Sequence, residues 1–124
     1  MIDAQRVDFV AIPVRDTDRA AQFYGETLGF ERDSKSNANW PEFTAGNVTL
    51  SIVVPEEIGR PYVNTPPGQI AIRVPDVAEA RGKLEEAGVE FDGDTFDSGV
   101  CHMAFFKDPD GNALMLHRRY APRE

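Results

Sequence analysis

One order of strands and helix is written twice along this chain, at an offset of 60 residues, and no other feature narrows the possible folds so far. Phe9 falls on Gln69, Asp16 on Asp76 and Tyr24 on Leu84, and Leu28-Gly29-Phe30 resembles Ala87-Gly88-Val89. In the first copy, residues 7–14 are rich in β-formers and lead into Asp16-Thr17-Asp18, an N-cap signal that suits the positive end of a helix. Ala20, Phe23, Tyr24 and Leu28 recur at three- and four-residue spacing, and Gly29 is placed to stop the helix, which is predicted over Asp16–Thr27. A short strand at Phe30–Asp33, a polar loop at Ser34–Asn39 and a hairpin of Trp40–Thr44 with Val48–Val54 follow. In the second copy, Gln69–Val74 is a strand and Asp76 with Glu79 reads as a capping box for a helix ending at Gly88. Val89–Phe91 is predicted as a short strand, with a polar loop through Gly99. Two apolar runs then flank Asp108-Pro109-Asp110-Gly111-Asn112, where side-chain oxygens, a fixed φ and residues tolerant of positive φ favour a tight reversal. Both copies read β-α-β-β-β.

At 124 residues the chain has room for one domain, residues 1–124, with a core of its own. Module 1 is expected at about 6–54, module 2 at about 68–118 and a tail at 119–124, joined by a linker at about 55–67 that holds Pro55, Pro61, Pro66 and Pro67. Each module alone leaves the apolar face of a four-stranded sheet bare, so the α+β fold predicted is two tandem βαβββ modules whose curved mixed sheets face each other across a cleft. A net charge of -8, with no basic cluster beyond Arg118-Arg119, argues against nucleic acid or an anionic membrane as partner. The lone cysteine, Cys101, cannot make an intrachain disulfide, and neither a basic-then-apolar N-terminus nor a spanning apolar run is present. A cytoplasmic protein that works on small molecules is the expectation.

These residues resemble the vicinal oxygen chelate superfamily of lactoylglutathione lyases, extradiol dioxygenases, and fosfomycin and bleomycin resistance proteins. The likeness is carried by Val7-Asp8-Phe9-Val10-Ala11-Ile12 before Asp16, Phe23-Tyr24 with Leu28-Gly29-Phe30, Val74-Pro75-Asp76-Val77, and Phe106-Lys107-Asp108-Pro109-Asp110-Gly111-Asn112. It implies a glyoxalase-like cleft and, in metal-binding relatives, ligands from the first and last strand of each half. Those positions correspond to Phe9, Ser51, Gln69 and Met115. A phenyl ring, an un-ionised hydroxyl and a thioether are poor partners for a hard divalent cation, which leaves Gln69 alone. No cofactor is expected, with a divalent metal at a different set, His117, Gln69 and Glu42, as the alternative.

By strand alternation from those positions, Phe9, Ser51, Gln69, Arg73, Met115 and His117 point into the cleft, as do Cys101, Met103 and Phe105 across the hairpin. Trp40 is either an aromatic wall or packing at a subunit contact. Phe9, Met103, Phe105 and Met115 can equally be filler for a closed core, but Gln69 and Arg73 are costly on an apolar wall unless something pairs with them. A Cys101–His117 pair needs one particular hairpin register, and Cys101 with His102 is excluded because neighbours on a strand face opposite ways. The leading expectation is metal-independent binding of a small organic ligand, as in sequestration of an antibiotic or metabolite. The alternative is a lyase or isomerase related to lactoylglutathione lyase. A homodimer is expected, because the resembled proteins often pair and the linker allows modules to be exchanged.

Overall fold

The computed structural model describes residues 1–34, 39–62 and 70–122, and the chain divides into two compact units, Met1–Val63 and Asn64–Glu124. The first holds β1 (Val10–Pro13), α1 (Thr17–Gln22), β2 (Glu31–Arg32), β3 (Glu42–Ala45) and β4 (Val48–Val53), with sheet order β1-β4-β3-β2. The second holds β5 (Ile70–Arg73), α2 (Val77–Glu86), β6 (Phe96–Asp97), β7 (Cys101–Lys107) and β8 (Ala113–Arg119), with sheet order β5-β8-β7-β6. The first strand of each unit runs parallel to the last and the other pairings are antiparallel, so both sheets are mixed. This is the βαβββ module twice, an α+β fold.

Each helix starts where its sequence predicts. Asp16 Oδ1 accepts from the Arg19 amide and Asp76 Oδ1 from the Glu79 amide, each at 3.0 Å, satisfying a donor that has no partner within the helix. Only half of the capping box forms, because the Glu79 carboxylate turns instead to Lys83 Nζ at 3.2 Å. The last turn of the first helical segment also departs from expectation: Phe23–Thr27 is π-helical, and the Leu28 amide bonds back to the Phe23 carbonyl at 2.9 Å. The wider turn accompanies two consecutive buried aromatics, Phe23 and Tyr24, packed edge to face at 5.5 Å. Gly25 sits where a Cβ would stand 3.1 Å from the Phe43 ring, a tight contact that the glycine spares the β3 side of the core.

The helix-covered face of the first sheet buries Ile12, Phe43, Leu50 and Ile52 with Ala20, Phe23 and Tyr24. That of the second buries Ala104, Phe106, Leu114 and Leu116 with Val77 and Leu84. A fully buried side chain of this size contributes roughly 1.5–3 kcal/mol, which makes these two faces the chief source of stability.

The turn between β7 and β8 is held by Asp108. Its Oδ1 accepts from the amides of Asp110 and Asn112 at 2.9 and 2.8 Å, and its Oδ2 accepts from Asn112 Nδ2 at 2.7 Å. Gly111 takes φ of 89° while Asn112 does not adopt positive φ, so Asn112 serves through its side chain rather than through backbone tolerance. One expected strand is corrected. Val89–Phe91 contributes a single bridge, Phe91 to Phe106, and the paired edge strand is β6, inside the stretch read as a polar loop. Phe91 packs its ring on Phe106 at 5.1 Å and under the Arg81 guanidinium at 4.7 Å, so it is spent on packing rather than on a ladder. In the linker, Pro55–Ile58 makes one 3-10 turn, and Gln69 lies outside the described residues.

Candidate functional site

Opposite the helix, each sheet has a second face, and in the second unit the register assembles a chemically mixed surface there. Directly paired residues share a face, so Arg73, His117, Met103 and Phe96 form one cross-strand row. Ala71, Met115 and Phe105 form the next, and Arg119 with Cys101 a third. Met103, Phe105, Met115 and His117 are half-buried, Arg73 is exposed and Cys101 is buried. The apolar side chains are therefore neither sealed core nor open surface.

The predicted residues divide accordingly. Arg73, Cys101, Met103, Phe105, Met115 and His117 are brought onto this one face. Cys101 stands opposite Arg119, and His117 opposite Met103, so the register denies Cys101 and His117 a direct cross-strand pairing. In the first unit Ser51 is buried opposite Ala11 and Glu42. Phe9 precedes β1 and is 50 % exposed, which corrects any reading of it as core filler. Trp40 is 43 % exposed. Phe96 and Arg119 were not among the predicted residues. Arg119 was legible, since the alternation that places Met115 and His117 also places it, whereas Phe96 was hidden in a stretch that reads as loop.

Arg73, His117, Arg119 and Ala121 bound a hollow of about 280 Å³. Arg119 is steered into place by its own tail, its Nε donating to the Ala121 carbonyl at 2.9 Å and its Nη2 to the Pro122 carbonyl at 3.4 Å. Among the described residues the Arg73 guanidinium and the His117 ring make no hydrogen bond or ion pair.

A second hollow, of about 620 Å³, lies on the helix side of the sheet and is lined by Asp76, Thr95, His102, Arg118 and Tyr120 among others. Beside it, Tyr120 Oη donates to Asp97 Oδ1 at 2.8 Å, and His102 Nε2 stands 3.4 Å from Asp97 Oδ2 with its ring 4.7 Å from that of Tyr120. The Gly99 amide and then the Tyr120 hydroxyl hold the Asp97 carboxyl below its ordinary value, and the same carboxylate pushes the Tyr120 phenol up. A phenol made a weaker acid is poorly suited to act as a base or nucleophile.

The ligand set that the resemblance implies for a divalent metal does not fit. Phe9 offers no donor atom, Met115 offers a thioether on a half-buried strand position, and Ser51 offers a hydroxyl on a sheet face. Among the described residues, no three of His, Cys, Asp and Glu stand together as a metal cluster. Nor, among them, is any helix long and apolar enough to cross a membrane.

Two βαβββ modules in tandem, each with a helix on one sheet face only, define a glyoxalase-like fold. Residues 6–116 match the Glyoxalase/Bleomycin resistance protein/Dioxygenase superfamily, and the chain belongs to that family. It is similar to the crystal structure of an antibiotic binding protein from Streptomyces sp. CB03234, with 27 % identity and a TM-score of 0.74 over 96 % of this chain and 99 % of that one. A lactoylglutathione lyase from Agrobacterium tumefaciens shares the fold at 21 % identity, with a TM-score of 0.73 over 92 % of this chain and 93 % of that one. An uncharacterized protein of Mycolicibacterium smegmatis is 27 % identical over 113 residues, which is 90 % of this chain and 91 % of the relative.

Proposed function

We propose that this protein binds a small organic molecule without a metal, in the manner of proteins that sequester an antibiotic or metabolite. The observation that carries the reading is the helix-free face of the second sheet, where half-buried Met103, Phe105 and Met115 adjoin Arg73 and His117, whose side chains have no partner among the described residues. A partly apolar wall with a few convergent polar groups is how ligand sites are built, and groups left unpaired on such a wall are what a ligand can orient on. The likeness to an antibiotic binding protein supports the same reading. The donor chemistry at Phe9, Ser51 and Met115 supports metal independence.

The test is thermal melting with a panel of antibiotic-like and aromatic compounds, beside metal analysis of protein exposed to Ni, Zn, Mn or Fe and then dialysed. Stabilisation by at least one compound, lost in Met115→Ala, with retained metal well below one equivalent per chain, is the expected result. A stoichiometric ion that is lost in His117→Ala would replace this reading with a lyase or isomerase of the lactoylglutathione lyase type. A cytoplasmic homodimer belongs to the proposal, and sedimentation showing only monomer at micromolar concentration would remove the dimer from it.

A further inference from the structure

We infer that the helix-free face of the second sheet selects an organic anion, with an aromatic or aliphatic body lying on Met103, Phe105 and Met115 and one oxyanion held between Arg73, His117 and Arg119. The inference rests on the small-molecule reading above and narrows it to a charge class.

The distribution of ion pairs carries it. Acidic residues outnumber basic ones, 21 to 13, so a cation in this chain has no shortage of carboxylates to meet. Three of the other described cations of the second unit meet one, Arg81 with Glu85, Lys83 with Glu79 and Lys107 with Asp92, whereas Arg118 on the opposite sheet face does not. The hollow bounded by Arg73, His117, Arg119 and Ala121 brings two guanidiniums and an imidazole together, and no carboxylate of the described residues lines it. Arg73 is directly opposite His117, and Arg119 lies two residues further along β8 on the same face. Backbone carbonyls of Ala121 and Pro122 aim Arg119 without neutralising it. The two guanidiniums on this sheet face repel each other, and an anion lying between them would relieve that repulsion.

Geometry then sets the shape of that anion. A guanidinium presents paired N–H donors that match a carboxylate or phosphate edge. The hollow, at about 280 Å³, can hold a head group but is small for a drug-sized molecule, since such pockets run to roughly 300–1,000 Å³. The rest of the ligand must lie on the adjoining surface, and that surface is the row of Met115 and Phe105 and the Met103 side chain opposite His117.

The experiment uses the full chain and probes in matched pairs: 2-naphthoate against 2-naphthamide, phenylphosphonate against benzenesulfonamide, and inorganic phosphate alone, followed by NMR of Arg Nε–H and Met methyl signals. The expected result is that an anion of either pair binds about tenfold tighter than its neutral partner and shifts both the Arg73 and the Met115 signals. Which pair shows the larger preference separates a carboxylate from a phosphoryl head group. Arg73→Ala, an exposed position whose fold is checked by its melt, should abolish the preference, while Arg73→Lys should keep part of it. Met115→Ala should weaken both members of a pair equally. Neutral probes that bind as tightly as their anions would overturn the anion proposal and leave the small-molecule reading standing. Inorganic phosphate binding as tightly as naphthoate would overturn the apolar half of the site. No shift at either signal with any probe would overturn the proposal together with the reading beneath it.

Discussion

The two modules are copies of one design, and they have kept one sheet face while changing the other. The ladders align them position by position, because Val10 pairs with Leu50 as Ile70 pairs with Leu114, and Phe43 pairs with Leu50 as Phe106 pairs with Leu114. On the helix-covered faces the matched residues are near equivalents: Phe43 and Phe106, Leu50 and Leu114, Ile52 and Leu116. On the helix-free faces they are not. Pro13 is matched by Arg73, Ser51 by Met115, Val53 by His117 and Glu42 by Phe105. A covered face must fill a fixed volume under a helix, so its residues can change little. The helix-free face has no helix of its own module packed on it, its matched residues differ in chemistry, and in the second module they include Arg73 and His117.

The comparison breaks first at its strongest point, the difference between consecutive residues of β8. Leu114 is fully buried under α2 and Met115 is half-buried on the other face. Leu114→Ala should cost about 3–4 kcal/mol and Phe106→Ala about 3–5, whereas Met115→Ala should cost about 1 kcal/mol, read from chemical denaturation. If Met115→Ala cost as much as Leu114→Ala, the helix-free face would be core and its residues packing. Asp108→Ala comes next. It removes three buried hydrogen bonds, all to a carboxylate, from the turn that sets the β7/β8 register, and a loss of about 2–3 kcal/mol is expected. The module 1 hairpin turns at Ala45-Gly46-Asn47 without such an aspartate, so no substitution there should cost as much.

Smaller still are the helix caps, where the modules should agree. Asp16 and Asp76 make the same 3.0 Å bond to the amide three residues on. Replacing either with alanine should cost about 1 kcal/mol, and unequal costs would mean that the π-helical turn of Phe23–Thr27 already loosens the first helix.

What could be read in the sequence follows the same division. Caps, covered-face residues and the Asp108 turn depend on local chemistry and on periodicity, so β1, α2, β7 and β8 lie close to where the pattern puts them. The π turn was not legible, because it comes from fitting Phe23 and Tyr24 under one sheet, a contact between segments distant in sequence. β6 was missed for a similar reason: Phe96-Asp97 has no alternating pattern of its own and becomes a strand only because β7 offers an unpaired edge. At the candidate site, alternation counted from the positions that the family resemblance implies placed Arg73, Met115 and His117 on one face, with Met103 and Phe105 inferred across the hairpin, and extending it by two residues would have added Arg119. The register that separates Cys101 from His117 could not be read off, since it depends on how many residues the turn consumes.

The smallest expected effect belongs to the Asp97, His102 and Tyr120 cluster at the exposed end of the β6/β7 edge, which has no counterpart among the described residues of the first module. Asp97 is held below its ordinary value of 3.8, first by the Gly99 amide and then by the Tyr120 hydroxyl. A lowered carboxylate pKa means that the folded state binds its proton less readily than the unfolded chain does. Its contribution is therefore complete above the unfolded value and is lost as pH falls through the folded one. Tyr120 runs the other way: its phenol is raised above 10.0, chiefly by the bond to Asp97, so its contribution is complete below that value and is lost as pH rises through the higher folded one. Both groups are open to solvent, which screens the interaction, so Tyr120→Phe should leave the denaturation midpoint at neutral pH almost unmoved. Its effect should appear instead in the carboxyl ¹³C titration of Asp97, which should move up towards the ordinary value without reaching it, because the larger cause, the Gly99 amide, remains. An Asp97 that titrates unchanged in the variant would mean that the 2.8 Å bond is not kept in solution.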